Sequence, residues 1–488
     1  MILNNDDIKI EVDPKYLSFF NFYKEAFSIL NPTTPFIDNW HLRKMCSILE
    51  RETYRIALNL PKTKDIIFNV PFRTGKSELS SICWNAWSWI IYPSMSFLTI
   101  SYSASLSNDH SRKTRNLIES DWYQQNFGHI YSLSSDQKAK SHIETSAKGA
   151  RYATSTKGSG TGMGGDVILF DDPMNPKESE SEKERTNANK AYKETFYSRT
   201  RNPETAVRVI IMQRLHELDT TGYILSTSPK SFNHYVIPAE LAKQLKPNSW
   251  SKYYNDGLFW DKRFTRAVLD DYKITLGSYS YAGQLSQLPS PEKGSLWQRD
   301  WFISQKIESF PINMLTDIGT DWDTAYTSKE ANAANAYVSS AKHVGTGIIY
   351  ILDVGYFWSE TPELVKRMKT KQEPHYVEGK ASGKSAVQFL KKDFINAIEI
   401  QVDGGDKIQR TRLVTPTVES GRVVIAEHIL DMLLNDDKQG ILSFPNNSHK
   451  DLNDAFVQAL QRHSSSLTIS QRGLESLTDQ IYEQGVMI

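Results

Sequence analysis

Residues 65–91 restrict the fold more than any other stretch. An apolar run, D-I-I-F-N-V from Asp65 to Val70, passes directly into P-F-R-T-G-K-S, Pro71 to Ser77. A helical pattern follows, with Trp84, Trp87 and Ser88 along one side. A buried strand, a tight loop and a helix in that order form the first half of a βαβ unit, which requires a parallel neighbour. The loop carries the end of the phosphate-binding pattern G-x-x-x-x-G-K-[ST], but Val70 stands where its first glycine belongs. Pro71 has no N–H to offer, so the phosphate cradle falls mainly to Thr74, Gly75, Lys76 and Ser77, with Arg73 beside them. In this reading Lys76 meets the β- and γ-phosphates of ATP, and the Ser77 hydroxyl meets Mg²⁺.

Later elements continue the alternation. Strands are expected at Phe97–Tyr102, Val167–Phe170 and Val207–Met212, with a helix at Ser105–Ser120. Upstream, Tyr16–Leu30 and His41–Leu58 have helical spacing, separated by the N-P-T-T-P turn that starts at Asn31. The third strand ends in Asp171-Asp172-Pro173, a Walker B pattern in which Asp171 holds Mg²⁺ and Asp172 orients or activates water. The competing reading is an ordinary Asp-Asp-Pro turn. Before it, the glycine-rich segment from Lys157 to Gly165 reads as a linker or a mobile loop. V-R-V-I-I-M-Q-R-L-H delivers Arg214 to the carboxyl edge of the sheet, either as a γ-phosphate sensor or as a plain surface cation. The charged stretch Lys177–Arg201 is expected to be a solvated helix.

The expected organisation is a helical segment at 1–60, an ATPase core at 61–230, a connecting region at 231–300, a second α/β block at 301–465 and a polar tail at 466–488. The second block has expected strands at Asp317–Asp321, Gly347–Val354, His375–Glu378, Ile398–Val402 and Arg422–Ile425. Several end in acids. Asp321 and Asp323 share a face if strand geometry continues through Trp322, and Asp451 and Asp454 share one at a helix start.

Composition sets bounds. A chain of 488 residues exceeds one core, so two or three domains are expected. Lys plus Arg and Asp plus Glu both number 57, which argues against a uniformly basic nucleic-acid binder while allowing local basic patches. Cys46 and Cys83 are the only cysteines, so no disulfide framework or cysteine-based zinc site is expected. No apolar run reaches the roughly 18 residues of a membrane span. The opening M-I-L-N-N-D-D lacks the regions of a secretory leader.

Taken in order, N-W-H-L-R-K, P-F-R-T-G-K-S, S-Y-S-A-S-L-S, F-D-D-P, M-Q-R-L-H-E-L-D-T-T-G and Y-A-G-Q-L-S-Q-L-P-S-P-E-K-G resemble the large terminase subunit of tailed phages and prophages. That family's nucleotide loop often lacks the first glycine. The resemblance implies an ASCE-type P-loop ATPase domain followed by an RNase H-like nuclease domain. It implies Trp40 and His41 on the adenine side of ATP. For the second domain it implies a site for two Mg²⁺ or Mn²⁺ ions. Asp323 matches W-D-T-A; Glu378 matches I-E-D-K-A-S-G, with Gly379 in place of the next acid; Asp451 and Asp454 match H-D-D-x-x-D-A, with Lys450 in place of the first. Asp321 is a further candidate ligand. A further acid found after W-D-T-A is absent, with Asn332 and Asn335 in that region. G-D-K-I-Q-R resembles the family's G-D-K-x-x-R, where Lys407 and Arg410 either touch DNA phosphates or make structural ion pairs. The implied partners are double-stranded DNA, the procapsid portal protein, the small terminase subunit and further copies in a ring, without membrane. The implied location is the host cytoplasm, transiently at the portal. Two alternatives stay open: a helicase-like DNA remodeller with an inactive RNase H-like domain, and a scaffold with a dead phosphate loop.

Overall fold

The computed structural model describes residues 12–134, 141–160, 162–289, 296–325, 333–379, 381–401 and 405–464. The expected tail at 466–488, Asn332 and Lys380 lie outside them. The chain divides into two compact units, Met1–Tyr272 with Ser278–Glu292 and Lys273–Gly277 with Lys293–Ile488.

Among the described residues, the first unit is built on one seven-stranded sheet. Its strands are β1 (Asp65–Asn69), β2 (Ser96–Ser101), β3 (His142–Glu144), β4 (Ala150–Ser155), β5 (Val167–Asp171), β6 (Val207–Met212) and β7 (Phe232–Val236). Their order is β3-β4-β2-β5-β6-β1-β7. Every pairing is parallel except β3 with β4. The central strands β1, β2, β5 and β6 are buried along their whole length, which explains the apolar stretches I-I-F, V-I-L-F and V-I-I-M in β1, β5 and β6. β6 lies between the loop strand β1 and the acid-bearing strand β5, the strand order of an ASCE-type ATPase. Helices Phe19–Leu30 and Trp40–Ala57 form as their spacing predicts.

Two expectations need correction here. The segment read as a solvated helix becomes the helix Glu182–Lys190 and then a π-helical turn, Ala191–Phe196. That turn buries Tyr192 and Phe196 against Phe170, so one face of the charged stretch is core. The region read as connecting, 231–300, supplies β7 to the first sheet. Its F-N-H-Y-V pattern is half polar because β7 is an edge strand.

The second unit also has a seven-stranded sheet among the described residues. It comprises β8 (Ile303–Gln305), β9 (Leu315–Asp323), β10 (Asn335–His343), β11 (Ile349–Phe357), β12 (His375–Glu378), β13 (Ala397–Ile400) and β14 (Val423–Ala426). The order is β13-β12-β9-β10-β11-β14-β8. β9, β10 and β11 form an antiparallel meander, and β12 and β13 extend it in parallel from β9. This is the expected RNase H-like arrangement. A large apolar cluster with Trp297, Val338, Ile425 and Phe456 fills one side of the sheet. Trp322, Tyr337, Leu364 and Leu390 fill the other. β10 escapes the sequence pattern because N-A-Y-V-S-S-A-K-H is rich in small and polar residues. It is nonetheless a buried central strand, with Ser339 bonded to Thr320 and Ser340 to His463.

Candidate functional site

Because β1 and β5 are parallel members of one sheet, the loop after β1 and the acids ending β5 come to the same carboxyl edge. The loop turns through Arg73 at φ 54° and Gly75 at φ 80°. A Cβ on Gly75 would sit 2.9 Å from the Tyr23 hydroxyl, so glycine is required there by both backbone and space. Thr74 donates its hydroxyl to the Pro71 carbonyl at 2.9 Å, closing the turn from within. Lys76 Nζ lies 2.9 Å from Asp172 Oδ2. Ser77 Oγ donates to Asp171 Oδ1 at 2.9 Å.

After the loop the helix opens as a π-helical turn, Glu78–Cys83. Such turns recur where a helix must re-aim a side chain. Here Ser81 donates to the second Asp171 oxygen, Oδ2, at 2.6 Å. His110 Nδ1 stands 3.5 Å from the same oxygen. Burial drives the His110 pKa down to about 4, so the ring is neutral near pH 7. Arg151 of β4 is fully buried and donates from Nη2 to the Ser81 carbonyl at 3.2 Å. Burial lowers its pKa to about 9. Burial also raises both Asp171 and Asp172 above the usual carboxylate range, while Lys76 pulls each down. Asp172 adopts φ 43°, a conformation a non-glycine residue reaches only when its surroundings hold it, and it accepts from the Gln213 N–H at 3.3 Å. Ser77, Asp171, Lys76 and the loop N–H groups make a donor set that fits Mg²⁺ with a nucleotide phosphate.

The other residues expected at this site play different parts. His41 is buried with both ring nitrogens engaged, one at 3.0 Å from the Thr74 carbonyl and the other at 2.6 Å from Asn39. It braces the loop from behind. Trp40 donates to the Phe259 carbonyl and stacks on Tyr253 at 5.4 Å between centroids. Arg214 is clamped by the buried Asp219, with Nε 2.9 Å from Oδ2, and its Nη2 reaches the His216 carbonyl. Arg73, by contrast, is exposed and makes no side-chain hydrogen bond or ion pair among the described residues. His110 and Ser81, both beside Asp171, carry no sequence signal, since each comes to it from a separate element.

In the second unit, Asp323 ends β9 and Glu378 ends the adjacent parallel strand β12. Asp323 pairs in register with Ala336, while the Ala334 N–H donates to Asp451 Oδ2 at 2.8 Å. Asp323, Glu378, Asp451 and Asp454 therefore gather at one end of the sheet. Each has an occupation there. Asp451 also accepts from Gln439 Nε2 at 3.0 Å. Two cations on the helix Lys407–Glu419 reach in: Lys407 pairs with Asp454, and Arg410 Nη1 lies 3.6 Å from Glu378. Both cations of G-D-K-I-Q-R are thus engaged in ion pairs. Asp321 is set apart. It is fully buried, paired to Arg462 Nε at 2.9 Å and bonded to Gln458 at 3.3 Å. Asn335, where an acid is missing, instead ties the Ala325 N–H to the Ser359 carbonyl. Among the described residues, no three His, Cys, Asp or Glu side chains stand close enough together to hold a metal ion. As arranged, these acids do not fit a metal pair.

Residues 67–303 match the family described as terminase large subunit, T4likevirus-type, N-terminal. A search of curated proteins found no match. Among solved structures, the large terminase of the thermophilic bacteriophage D6E aligns at 11% identity and TM-score 0.44, covering 77% of this chain and 87% of that one. The bacteriophage HK97 large terminase aligns at 11% and 0.35, covering 91% and 99%. The nuclease domain of the bacteriophage SPP1 large terminase, solved with bound Mn, aligns at 15% and 0.24, covering 33% and 96%.

Proposed function

We propose that this chain, a terminase large subunit by its match over residues 67–303, hydrolyses ATP to drive double-stranded viral DNA into a procapsid. One observation carries the reading: Lys76 and Ser77 meet Asp172 and Asp171 at the carboxyl edge of a sheet whose β6 separates the two strands that bear them. Bound Mg²⁺ would neutralise phosphate charge. The chain's own residues do the rest. Backbone N–H groups of 74–77 cradle the phosphates, and Lys76 leaves Asp172 to meet them. Ser77 and Asp171 hold the ion, and Asp172, once released, orients water. Arg73 is free to complete the site in cis, whereas Arg214 must first leave Asp219. The portal protein, a small terminase subunit and a ring of further copies are the partners this reading entails, in the host cytoplasm. The test is DNA-stimulated ATP hydrolysis by the full chain with Mg²⁺. Absence of both hydrolysis and a thermal shift with Mg-ATP would leave the scaffold reading.

For the second unit, metal-dependent cutting of concatemeric DNA is the activity the family implies. The ion pairs Lys407–Asp454 and Arg410–Glu378 favour a second reading, in which this unit binds DNA without cleaving it. Nicking of plasmid DNA with Mn²⁺, abolished by Asp323→Ala, decides between them.

A further inference from the structure

Behind the ATP site lies a buried cation that the nucleotide chemistry does not use. Arg151 has no exposed surface, and two of its three guanidinium nitrogens, Nε and Nη1, donate to no protein atom. The third, Nη2, binds the Ser81 carbonyl at 3.2 Å. A guanidinium buried with so few partners costs a fold stability, and an apolar side chain of similar volume costs less. Such an arrangement calls for a role other than packing. Ser81 supplies the direction. Its carbonyl takes the Arg151 bond, and its hydroxyl grips Asp171 Oδ2 at 2.6 Å. The opposite Asp171 oxygen faces Ser77. Ser77 and Ser81, four residues apart on one helix face, reach the same carboxylate.

Resting on the ATPase reading above, we propose that Arg151 is a positioning residue of the ATP site. Through Ser81 it fixes the rotation of the Asp171 carboxylate, and its charge faces that carboxylate from β4. It touches no nucleotide. Its loss therefore lowers turnover without loosening the grip of the phosphate loop on ATP.

The test compares the full-length wild type with Arg151→Met and Arg151→Lys. For Arg151→Met the expected result is a tenfold or greater fall in kcat, with KM for ATP within about twofold and a thermal midpoint equal to or above wild type. Arg151→Lys is expected to recover part of kcat by restoring the charge. Full kcat in Arg151→Met overturns the proposal. So does a fall in kcat that tracks a lowered midpoint in both variants, since that is a structural role. Should Arg151→Met not fold, Ser81→Ala cuts the same relay at its other end, and unchanged kcat there overturns the proposal equally. A wild type without ATP hydrolysis instead defeats the ATPase reading itself.

Discussion

Lys76 Nζ lies 2.9 Å from Asp172 Oδ2, so the loop ammonium and the carboxylate after β5 neutralise each other beside the β-sheet edge. On the proposed ATPase reading, a triphosphate breaks this pair, because its γ-phosphate offers Lys76 more charge. Lys76→Ala is expected to lower ATP hydrolysis by about 100-fold or more and to remove the thermal shift with Mg-ATP. Asp172→Asn is expected to keep the shift while lowering turnover by about 100-fold or more. Both are read in a coupled ATPase assay and a melt.

The first unit should weaken in mild acid. His41 is buried and His234 half-buried, both neutral, with pKa values lowered to about 4 and about 3 chiefly by desolvation. A depressed folded pKa means the unfolded chain takes protons first. The contribution is complete above pH 6.5 and is lost as pH falls toward the folded values, amounting to about 3 kcal/mol for the fully buried His41. Urea titrations at pH 7.5 and 4.5 should show the loss. His234→Gln, which keeps a donor for Asn69 Oδ1, should shrink it.

Asp321 runs the other way. Burial raises its pKa to about 6 despite Arg462. Its contribution is complete below the usual carboxylate pKa and is lost as pH rises through about 6. Arg462→Met strands a buried carboxylate and should cost about 3–5 kcal/mol at pH 7, whereas adding Asp321→Leu should recover most of it. Denaturant midpoints of the single and double variants check this; equal midpoints would contradict it.

Lys407 and Arg410 hold two of the acids at the end of β9 and β12. Replacing both with Gln removes one cation from each of Asp454 and Glu378. Calorimetric titration of the full chain with Mn²⁺, without nucleotide, should then show tighter binding than wild type by roughly tenfold, since each lost ion pair removes a competitor for the carboxylate. Unchanged binding would mean that these pairs do not restrain the acids.

Much of the architecture was legible because it is written locally. β1, β5 and β6 announce themselves through the apolar stretches I-I-F, V-I-L-F and V-I-I-M, and the T-G-K-S turn declares its own geometry through glycine at Gly75. β4, β7 and β10 were not legible. Their small and polar residues are buried or edge-facing for reasons that depend on neighbours, such as Ser340 against His463. The acids show the same divide. Their positions at strand ends could be read from the chain, but their partners could not.

By itself, the sequence determined a strand–loop–helix turn at its phosphate-loop motif, two α/β blocks and the order of the acidic strand ends, since each depends on residues a few positions apart. Only the tertiary structure decided that Asp171 is gripped by Ser77 and Ser81, that Arg214 belongs to Asp219, and that Lys407 and Arg410 occupy Asp454 and Glu378. Most of these pairings join residues tens to nearly a hundred positions apart. A charged side chain can satisfy itself with any opposite charge within a few ångströms, so the choice is made by packing and not by the chain's local pattern.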